Sequence, residues 1–218
     1  MPHTLSQPAV DAVIFDLGRV LIDYDWNPAL QKAGQRLGLP LDEIRRRLFP
    51  GPLFVRFELG ELAPLQFHAE LAGLLGGSLP YAEFRELWNS IFTREIAALA
   101  NLASALRRAG AVRVAILSNT NALHVEYLRH TFPWLREWEH VYMSNEIGLR
   151  KPDPAAFRHV LEQLQVQAGR AAFVDDMPEN IAAAERVGMR GVLVRSPEEA
   201  CAELARLGIR AEEQREST

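Results

Sequence analysis

Residues 12–20 read Ala-Val-Ile-Phe-Asp-Leu-Gly-Arg-Val, a short apolar run that ends in an aspartate and a glycine. The apolar residues of this run do not alternate with polar ones, which is typical of a strand buried on both faces of a sheet. Runs of the same kind recur along the chain and predict four further strands. They cover residues 112–118, 141–144, 171–175 and 191–194.

Helical patterns lie between these runs. One apolar helix face ends at Gly110, a second begins after Asp153 with a proline at the first helical position, and a third ends at Gly188. Ser196 has the spacing of a capping box that opens the last helix. Strands that alternate with helices predict an α/β fold with a doubly wound parallel sheet, covered by helices on both sides.

The stretch after the first strand differs from the rest of the chain. Residues 27–93 show helical periodicity and no strand pattern, so they predict an all-helical insertion into the sheet domain. The predicted division is a Rossmann-like core of residues 1–26 and 94–218, with a helical cap of residues 27–93.

The composition excludes several classes of protein. Of the 218 residues, 48% are apolar and 24% charged, which excludes disordered and collagen-like chains. The formal charge of −4 has no basic concentration, so we expect no nucleic-acid partner. The most apolar helical stretch, residues 96–106, is too short to span a bilayer, and Cys201 has no second cysteine to pair with. Because Met1–Ala9 lack the segments of a secretion signal, we expect a cytoplasmic protein without a membrane partner.

Polar side chains follow the predicted strands. Ligands of a doubly wound sheet bind beyond the carboxyl ends of its strands, so we expect these side chains to converge there. They are Asp16 after the first strand, Ser118 and Asn119 after the second, Lys151 in the loop after the third, and Asp175 and Asp176 after the fourth.

Each of these residues has a structural interpretation when it is taken alone. Asp16 could cap a turn, Asp175 and Asp176 could begin the helix after Pro178, and Lys151 could be a solvated surface charge. The combination favours chemistry, because carboxylates about 4 Å apart repel each other unless a cation lies between them. Oxygen ligands favour Mg²⁺, which often binds a substrate phosphate as well, and an ammonium and a hydroxyl group suit the phosphate oxygens.

The ordered set resembles the four motifs of the haloacid dehalogenase superfamily. Asp16 matches the nucleophile of the first motif, Ser118 the second, Lys151 the third, and Asp175-Asp176 the fourth. This superfamily carries a helical cap between its first two motifs, which is where residues 27–93 lie. The resemblance covers essentially the whole chain and implies a Rossmann-like core with a cap.

The resemblance implies a covalent phosphatase mechanism with Mg²⁺ as cofactor. Asp16 would attack phosphorus, and water would hydrolyse the aspartyl-phosphate. Asp16, the Gly18 carbonyl and Asp176 would hold the metal, while Asp175 and Asn180 would orient its water ligands. The residues implied in catalysis are Asp16, Ser118 and Lys151, and those implied in phosphate or substrate binding are Gly18, Arg19, Ser118, Asn119 and Lys151.

Within the superfamily, residues 15–25, 117–124 and 148–152 resemble the bacterial α-D-glucose-1-phosphate phosphatases. This closer resemblance implies a small sugar phosphate as substrate. A cap of about 70 residues likewise favours a phosphorylated metabolite over a folded protein. The periodicity of the chain makes no prediction about its oligomeric state.

Gly18 departs from the superfamily pattern. It stands where a second aspartate usually acts as general acid. Asp23 or Asp25 could replace that acid, but a flap or helix-start position is the favoured interpretation of both. His124, which follows Asn121 at the start of a helix, is interpreted as a surface or capping residue.

Three other kinds of protein would differ from this sequence at the motifs or in the insertion. A 2-haloacid dehalogenase has the same nucleophile but uncharged residues in place of the acidic pair Asp175-Asp176. A non-catalytic interaction module on this fold would have lost Asp16, Lys151 or Asp176, and none is lost. A phosphotransfer receiver domain would lack the helical insertion. The sequence therefore predicts a Mg²⁺-dependent phosphatase.

Overall fold

The chain forms two compact units, in a computed structural model that describes residues 10–210. The first unit contains the residues up to 22, residues 95–117, and those from 151 onward. The second contains residues 23–94 and 118–150. The expectation about Met1–Ala9, and the ends of the predicted core at residues 1 and 218, lie outside the described residues.

The described residues form the following elements. The strands are β1 (Ala12–Phe15), β2 (Ile22–Tyr24), β3 (Phe92–Glu95), β4 (Arg113–Ser118), β5 (Val141–Met143), β6 (Ala171–Asp175) and β7 (Arg190–Leu193). The helices are α1 (Asn27–Leu37), α2 (Leu41–Leu48), α3 (Pro52–Glu58), α4 (Pro64–Leu75), α5 (Tyr81–Asn89), α6 (Ala97–Ala109), α7 (Ala122–Thr131), α8 (Trp134–Glu137), α9 (Ser144–Ile147), α10 (Pro154–Leu164), α11 (Pro178–Val187) and α12 (Pro197–Arg206).

The sheet of the first unit is parallel, with β4, β1, β6 and β7 in that order. β1 is fully buried, because strands pair with it on both sides and helices cover the sheet. Its last residue, Phe15, lies opposite Ile116 of β4 and Val174 of β6. Helix α11 packs on β6 and β7, and α12 packs on α6. The predicted doubly wound α/β fold is confirmed.

The helix ends follow the predicted local chemistry. Gly110 and Gly188 adopt left-handed backbone angles and end α6 and α11, a conformation that glycine adopts without steric cost. The Asp153 carboxylate accepts a hydrogen bond from the backbone N–H of Ala155 at the start of α10. The Ser196 hydroxyl accepts one from the N–H of Glu199 at the start of α12.

The insertion is helical, and its helices α1–α5 share a buried core in the second unit. The rings of Phe57 and Phe67 stack at 4.1 Å between centroids, and both side chains are fully buried. The sequence did not predict the two-stranded ladder of β2 and β3, which lies where the chain enters and leaves the insertion. In that ladder the Thr93 hydroxyl donates to the Asp23 carbonyl.

Residues 118–150 belong to the same compact unit as the insertion, whereas the sequence pattern predicts them in the core domain. The buried hydroxyl of Ser144 joins them: it donates to the Glu58 carbonyl at 2.6 Å and accepts from the N–H of Thr120 at 2.9 Å. Arg150 binds the buried Glu58 carboxylate at 2.8 Å. The predicted boundaries near residues 26 and 93 lie close to the changes of unit at 22 and 94, and the functional division into core and cap stays a prediction.

Candidate active site

Asp16 follows directly after β1, at the carboxyl end of the sheet. Its backbone N–H donates to the Val174 carbonyl at 2.8 Å, so the pairing of β1 with β6 extends to this residue. A tight turn comes next, in which the N–H groups of Leu21 and Ile22 both donate to the Leu17 carbonyl. Arg19 adopts a positive φ of 57° in this turn and is exposed. The buried strand and the turn together fix the Asp16 backbone.

Lys151 is buried, with 1% of its side chain exposed. Its Nζ lies 2.8 Å from Asp16 Oδ1 and 2.6 Å from Asp175 Oδ2. The ammonium also lies 5.3 Å from the centre of the Phe173 ring, a distance at which the ring face attracts a cation. A buried ammonium is stable only when it is paired, and here two carboxylates pair with it.

Asp175 is fully buried at the end of β6. Besides Lys151, its carboxylate accepts hydrogen bonds from the Met177 N–H at 2.8 Å and from the Asn180 side-chain amide at 3.1 Å. Three donors therefore hold Asp175 in one orientation. This arrangement suits a residue that positions the side chains of Lys151 and Asn180.

The carboxylates of Asp16, Asp175 and Asp176 form a group that fits a divalent cation. One oxygen from each lies within 4.8 Å of the others, and no other such group of acidic, histidine or cysteine side chains occurs within residues 10–210. The Lys151 ammonium pairs with two of these carboxylates, Asp16 and Asp175, and the charge of Arg19 acts on the third, Asp176. An oxygen-only donor set with excess negative charge suits Mg²⁺.

Burial and the neighbouring carboxylates shift the pKa values of the acidic residues in this site. Burial raises the pKa of Asp16 from 3.8 to about 7; the Lys151 ammonium opposes the shift and the Asp175 carboxylate adds to it. Burial and Asp175 also raise the pKa of Asp176. Burial lowers the pKa of Lys151, but Asp16 and Asp175 outweigh it, so the net shift is upward. A cation bound here would favour the ionised carboxylates.

The other predicted site residues divide into two groups. Gly18 and Arg19 lie in the turn after Asp16, and Asn180 binds Asp175 as described. Ser118, buried at the end of β4, and Asn119, half-buried after it, belong to the second unit, and their role in phosphate binding stays a prediction.

The two acids considered as substitutes at Gly18 have structural partners. The Asp25 carboxylate accepts hydrogen bonds from the backbone and side-chain N–H groups of Asn27, the first residue of α1. The Asp23 carboxylate accepts one from the N–H of Tyr24 in β2. These contacts agree with the helix-start and flap interpretation.

His124 is buried, which corrects its interpretation as a surface residue. Its Nε2–H donates to the Trp88 carbonyl at 3.0 Å, and its Nδ1 accepts from the Asn121 amide at 3.0 Å. The Asn121 carbonyl oxygen in turn accepts from the Trp88 indole N–H at 3.2 Å. Burial lowers the pKa of His124 to about 4. The spacing of Asn121 and His124 was a local signal, but no local pattern indicated Trp88, 33 residues before Asn121.

The chain is similar to curated phosphatases. It is 31% identical over 200 residues to a sesquiterpene phosphatase from Aspergillus oryzae, a match that covers 90% of this chain and 95% of that protein. It is 28% identical over 183 residues to a D-ribitol-5-phosphate phosphatase from Bacteroides thetaiotaomicron, which covers 81% of this chain and 87% of the relative.

Solved structures and a family profile agree with these matches. A haloacid dehalogenase family enzyme from Bacteroides thetaiotaomicron, crystallised with magnesium and inorganic phosphate, superposes with a TM-score of 0.71 and is 25% identical. The superposition covers 84% of this chain and 93% of that one. Residues 10–188 match the family described as haloacid dehalogenase-like hydrolase. With the acidic cluster and buried lysine described above, this match shows that the chain belongs to the haloacid dehalogenase-like hydrolases.

Proposed function

We propose that this protein is a Mg²⁺-dependent phosphatase that hydrolyses a small phosphomonoester through an aspartyl-phosphate intermediate. The observation that carries the proposal is the buried Lys151, whose Nζ pairs with both Asp16 and Asp175. The same group of residues contains a third carboxylate, Asp176, within reach of a shared cation. The phosphatase names of the relatives support this reaction class.

Asp16 is the proposed nucleophile. One of its carboxylate oxygens would form a bond to phosphorus as the bond from phosphorus to the ester oxygen breaks, and the leaving oxygen would take a proton from water. Water then attacks the aspartyl-phosphate, which releases inorganic phosphate and restores the carboxylate. Lys151 would stabilise the negative charge on the transferring phosphoryl group.

Asp16, Asp176 and the carbonyl of Gly18 are the proposed metal ligands. Bound Mg²⁺ would reduce the repulsion between the carboxylate and the phosphate and stabilise the transferring charge. Asp175 would orient the site, because three protein donors already occupy its carboxylate. The matching enzyme that was crystallised with magnesium and phosphate supports this choice of metal.

The predicted sugar phosphate and the glucose-1-phosphate phosphatase branch remain finer proposals. Of the two relatives described above, one is named for a polyol phosphate and the other for an apolar sesquiterpene. The reaction is therefore common to these relatives, while the organic group is a property of each enzyme.

The test is hydrolysis of a panel of phosphomonoesters with Mg²⁺, with EDTA, and with Ca²⁺ in place of Mg²⁺. We expect turnover with Mg²⁺, none with EDTA, and little with Ca²⁺, whose larger and more flexible coordination shell spoils the in-line geometry. Asp176→Ala should abolish the metal-dependent turnover. Full activity in EDTA, or release of halide from 2-haloacids without phosphatase activity, would overturn the proposal.

A further inference from the structure

The lysine of the candidate site contacts side chains of one face of the parallel sheet. Side chains alternate between the two faces along a strand, so Phe173 and Asp175, two residues apart in β6, share a face. The register of β1 and β6 places Ile14 opposite Phe173, and Asp16 follows two residues later on the same face. The Lys151 ammonium meets this face, with the two carboxylates at 2.8 and 2.6 Å and the centre of the Phe173 ring at 5.3 Å.

The Phe173 ring is held in one orientation by its surroundings. It is fully buried, and the ring of Phe157 in α10 meets it edge to face, with 5.1 Å between the centroids and 86° between the planes. Aromatic pairs prefer this arrangement to a parallel sandwich. Because α10 begins three residues after Lys151, one segment of the chain supplies both the lysine and the ring that fixes Phe173.

The ring face supplies an attraction that differs from that of the two carboxylates. The face of a phenyl ring is negative and attracts a cation, and this attraction is strongest where water is excluded. With 1% of its side chain exposed, Lys151 meets that condition. A hydrogen bond to a carboxylate fixes the direction of one N–H group, whereas the ring attracts the ammonium as a whole. An aliphatic side chain of similar size would fill the space without this attraction.

We propose that Phe173 is a positioning residue, whose ring face holds the Lys151 ammonium in place during phosphoryl transfer. The proposal rests on the phosphatase function, in which one Asp16 oxygen forms a bond to phosphorus. The Asp16 carboxylate then loses the negative charge that pairs with Lys151. Asp175 and the Phe173 ring still attract the ammonium, so the ring has a larger share in positioning it at the step where it stabilises the transferring phosphoryl group.

The first test weakens the attraction of the ring and leaves its shape nearly unchanged. Phenylalanine at position 173 is replaced by its 4-fluoro, 3,5-difluoro and 3,4,5-trifluoro analogues, in which each fluorine withdraws electrons from the ring face. We expect kcat for p-nitrophenyl phosphate to fall stepwise, by about tenfold with three fluorines, while KM changes little. A factor of ten corresponds to about 1.4 kcal/mol, within the range of a desolvated contact between a cation and a ring.

The matched control is the same fluorinated series at Phe15. This ring is also fully buried in the sheet, but it lies one residue before Asp16 and therefore on the opposite face. Fluorination of Phe15 should leave kcat unchanged, and the Tm values of the two series should be alike. An unchanged kcat along the Phe173 series, or equal losses of kcat in both series, would overturn the proposal.

The second test observes the contact without turnover. The chain has two lysines, Lys151 and the exposed Lys32, so protein labelled with ¹³C,¹⁵N-lysine gives two sets of side-chain NMR signals. Because an aromatic ring shifts protons above its face upfield, the Cε protons of Lys151 should resonate upfield of those of Lys32. Phe173→Leu should move the Lys151 signals downfield and leave those of Lys32 in place. Lys151 signals that do not respond would overturn the contact.

The phosphatase function and the role of Phe173 fail on different results. Wild-type protein that hydrolyses no phosphomonoester would overturn the phosphatase function. An active wild type whose kcat does not respond to fluorination at position 173 would overturn only the role of Phe173. The fluorinated proteins keep the shape of the core, so this result does not depend on whether Phe173→Leu folds.

Discussion

The proposed reaction needs Asp16 as an ionised carboxylate, whereas burial in the folded protein favours the protonated form. Its folded pKa of about 7 exceeds its ordinary 3.8, so the native state binds more protons than the unfolded state between these values. The contribution of Asp16 to the stability of the metal-free protein therefore falls as pH rises from about 4 to 7.

We predict that Asp16→Asn abolishes phosphatase activity, with a loss of several orders of magnitude, and raises the Tm of the metal-free protein at pH 7.5. The gain should shrink towards zero near pH 4, where the wild-type carboxyl is protonated. In a chain of this size about 1 kcal/mol shifts Tm by about 2–4 °C. Thermal unfolding of both proteins across this pH range measures the effect. A lower Tm at pH 7.5, or retention of more than a few per cent of the activity, would contradict the assignment.

His124 gives the opposite pH dependence. Its folded pKa of about 4 lies below its ordinary 6.5, so the unfolded state binds more protons and stability is lost as pH falls through this range. His124→Ala should cost about 2–4 kcal/mol at pH 7.5, because it leaves a cavity and unpaired partners at Trp88 and Asn121. Urea unfolding at pH 7.5 and 5.0 should show a smaller loss between the two pH values in the variant than in the wild type.

The lack of a carboxylic acid at Gly18 predicts which phosphate esters the enzyme hydrolyses fastest. Without an acid at this position, the departing oxygen receives little protonation, and a positioned general acid is typically worth about 10²–10⁴-fold. Poor leaving groups should therefore react slowest. We predict higher kcat/KM for glucose 1-phosphate than for glucose 6-phosphate, since the anomeric hydroxyl is the more acidic.

The matched variant is Gly18→Asp. The variant tests the idea if the backbone at position 18 has angles that an aspartate can adopt. Gly18→Asp should raise kcat/KM more for primary-alcohol phosphates than for p-nitrophenyl phosphate. Faster hydrolysis of the 6-phosphate by the wild type would show that another residue supplies the proton.

At the scale of the elements, Gly60 follows the turn after α3 and joins two segments of the second unit. It has a φ of +74°, and a Cβ at this position would overlap the Asn145 carbonyl oxygen. Gly38, at the end of α1, has a φ of +69° and nothing within 4 Å of a Cβ. The two glycines therefore separate the cost of the backbone conformation from the cost of the close contact.

We predict that Gly38→Ala lowers the free energy of unfolding by about 1 kcal/mol. Gly60→Ala should lower it by about 1–3 kcal/mol more. The additional cost at Gly60 comes from moving the Asn145 backbone. The clash is with backbone atoms, so no flexible side chain can rotate away to relieve it. Chemical unfolding of the two variants measures the difference. Equal losses would mean that the α9 segment shifts freely.

The elements that could be predicted are those whose signals are local. Caps such as Asp153, Ser196 and Gly110 act within one turn of a helix, and the unbroken apolar run of β1 marks a buried strand. The ladder of β2 and β3 could not be predicted, because its strands are short, lie far apart in the sequence and have only one buried residue among seven.

The same distinction applies to the candidate site. Strand ends indicated that Asp16, Lys151 and the acidic pair converge, and the structure brings these residues of the first unit together. The contacts that depend on partners distant in sequence, such as Trp88 with His124 and Ser144 with Glu58, left no local pattern. Burial of His124 follows from such a contact, which explains why its interpretation as a surface residue was wrong.

At the scale of the molecule, no helix within residues 10–210 is both long enough and apolar enough to cross a bilayer. The acidic cluster combines Asp16, directly after β1, with Asp175 and Asp176 at the end of β6. The insertion and residues 118–150 intervene in the sequence between these parts. The candidate site therefore forms only when the segment before residue 23 and the segment after residue 150 have folded together.

This arrangement has a consequence for synthesis on the ribosome. β1 emerges first, but its neighbours β4 and β6 lie about 100 and 160 residues later in the chain. At about 5–20 residues per second, the fully apolar strand Ala12–Phe15 waits roughly 5–20 s for its first partner and longer for its second. During that interval it offers an unpaired, apolar edge to other chains, so we expect the yield of folded protein in cells to depend on chaperones that hold the nascent amino-terminal segment until β6 has been made.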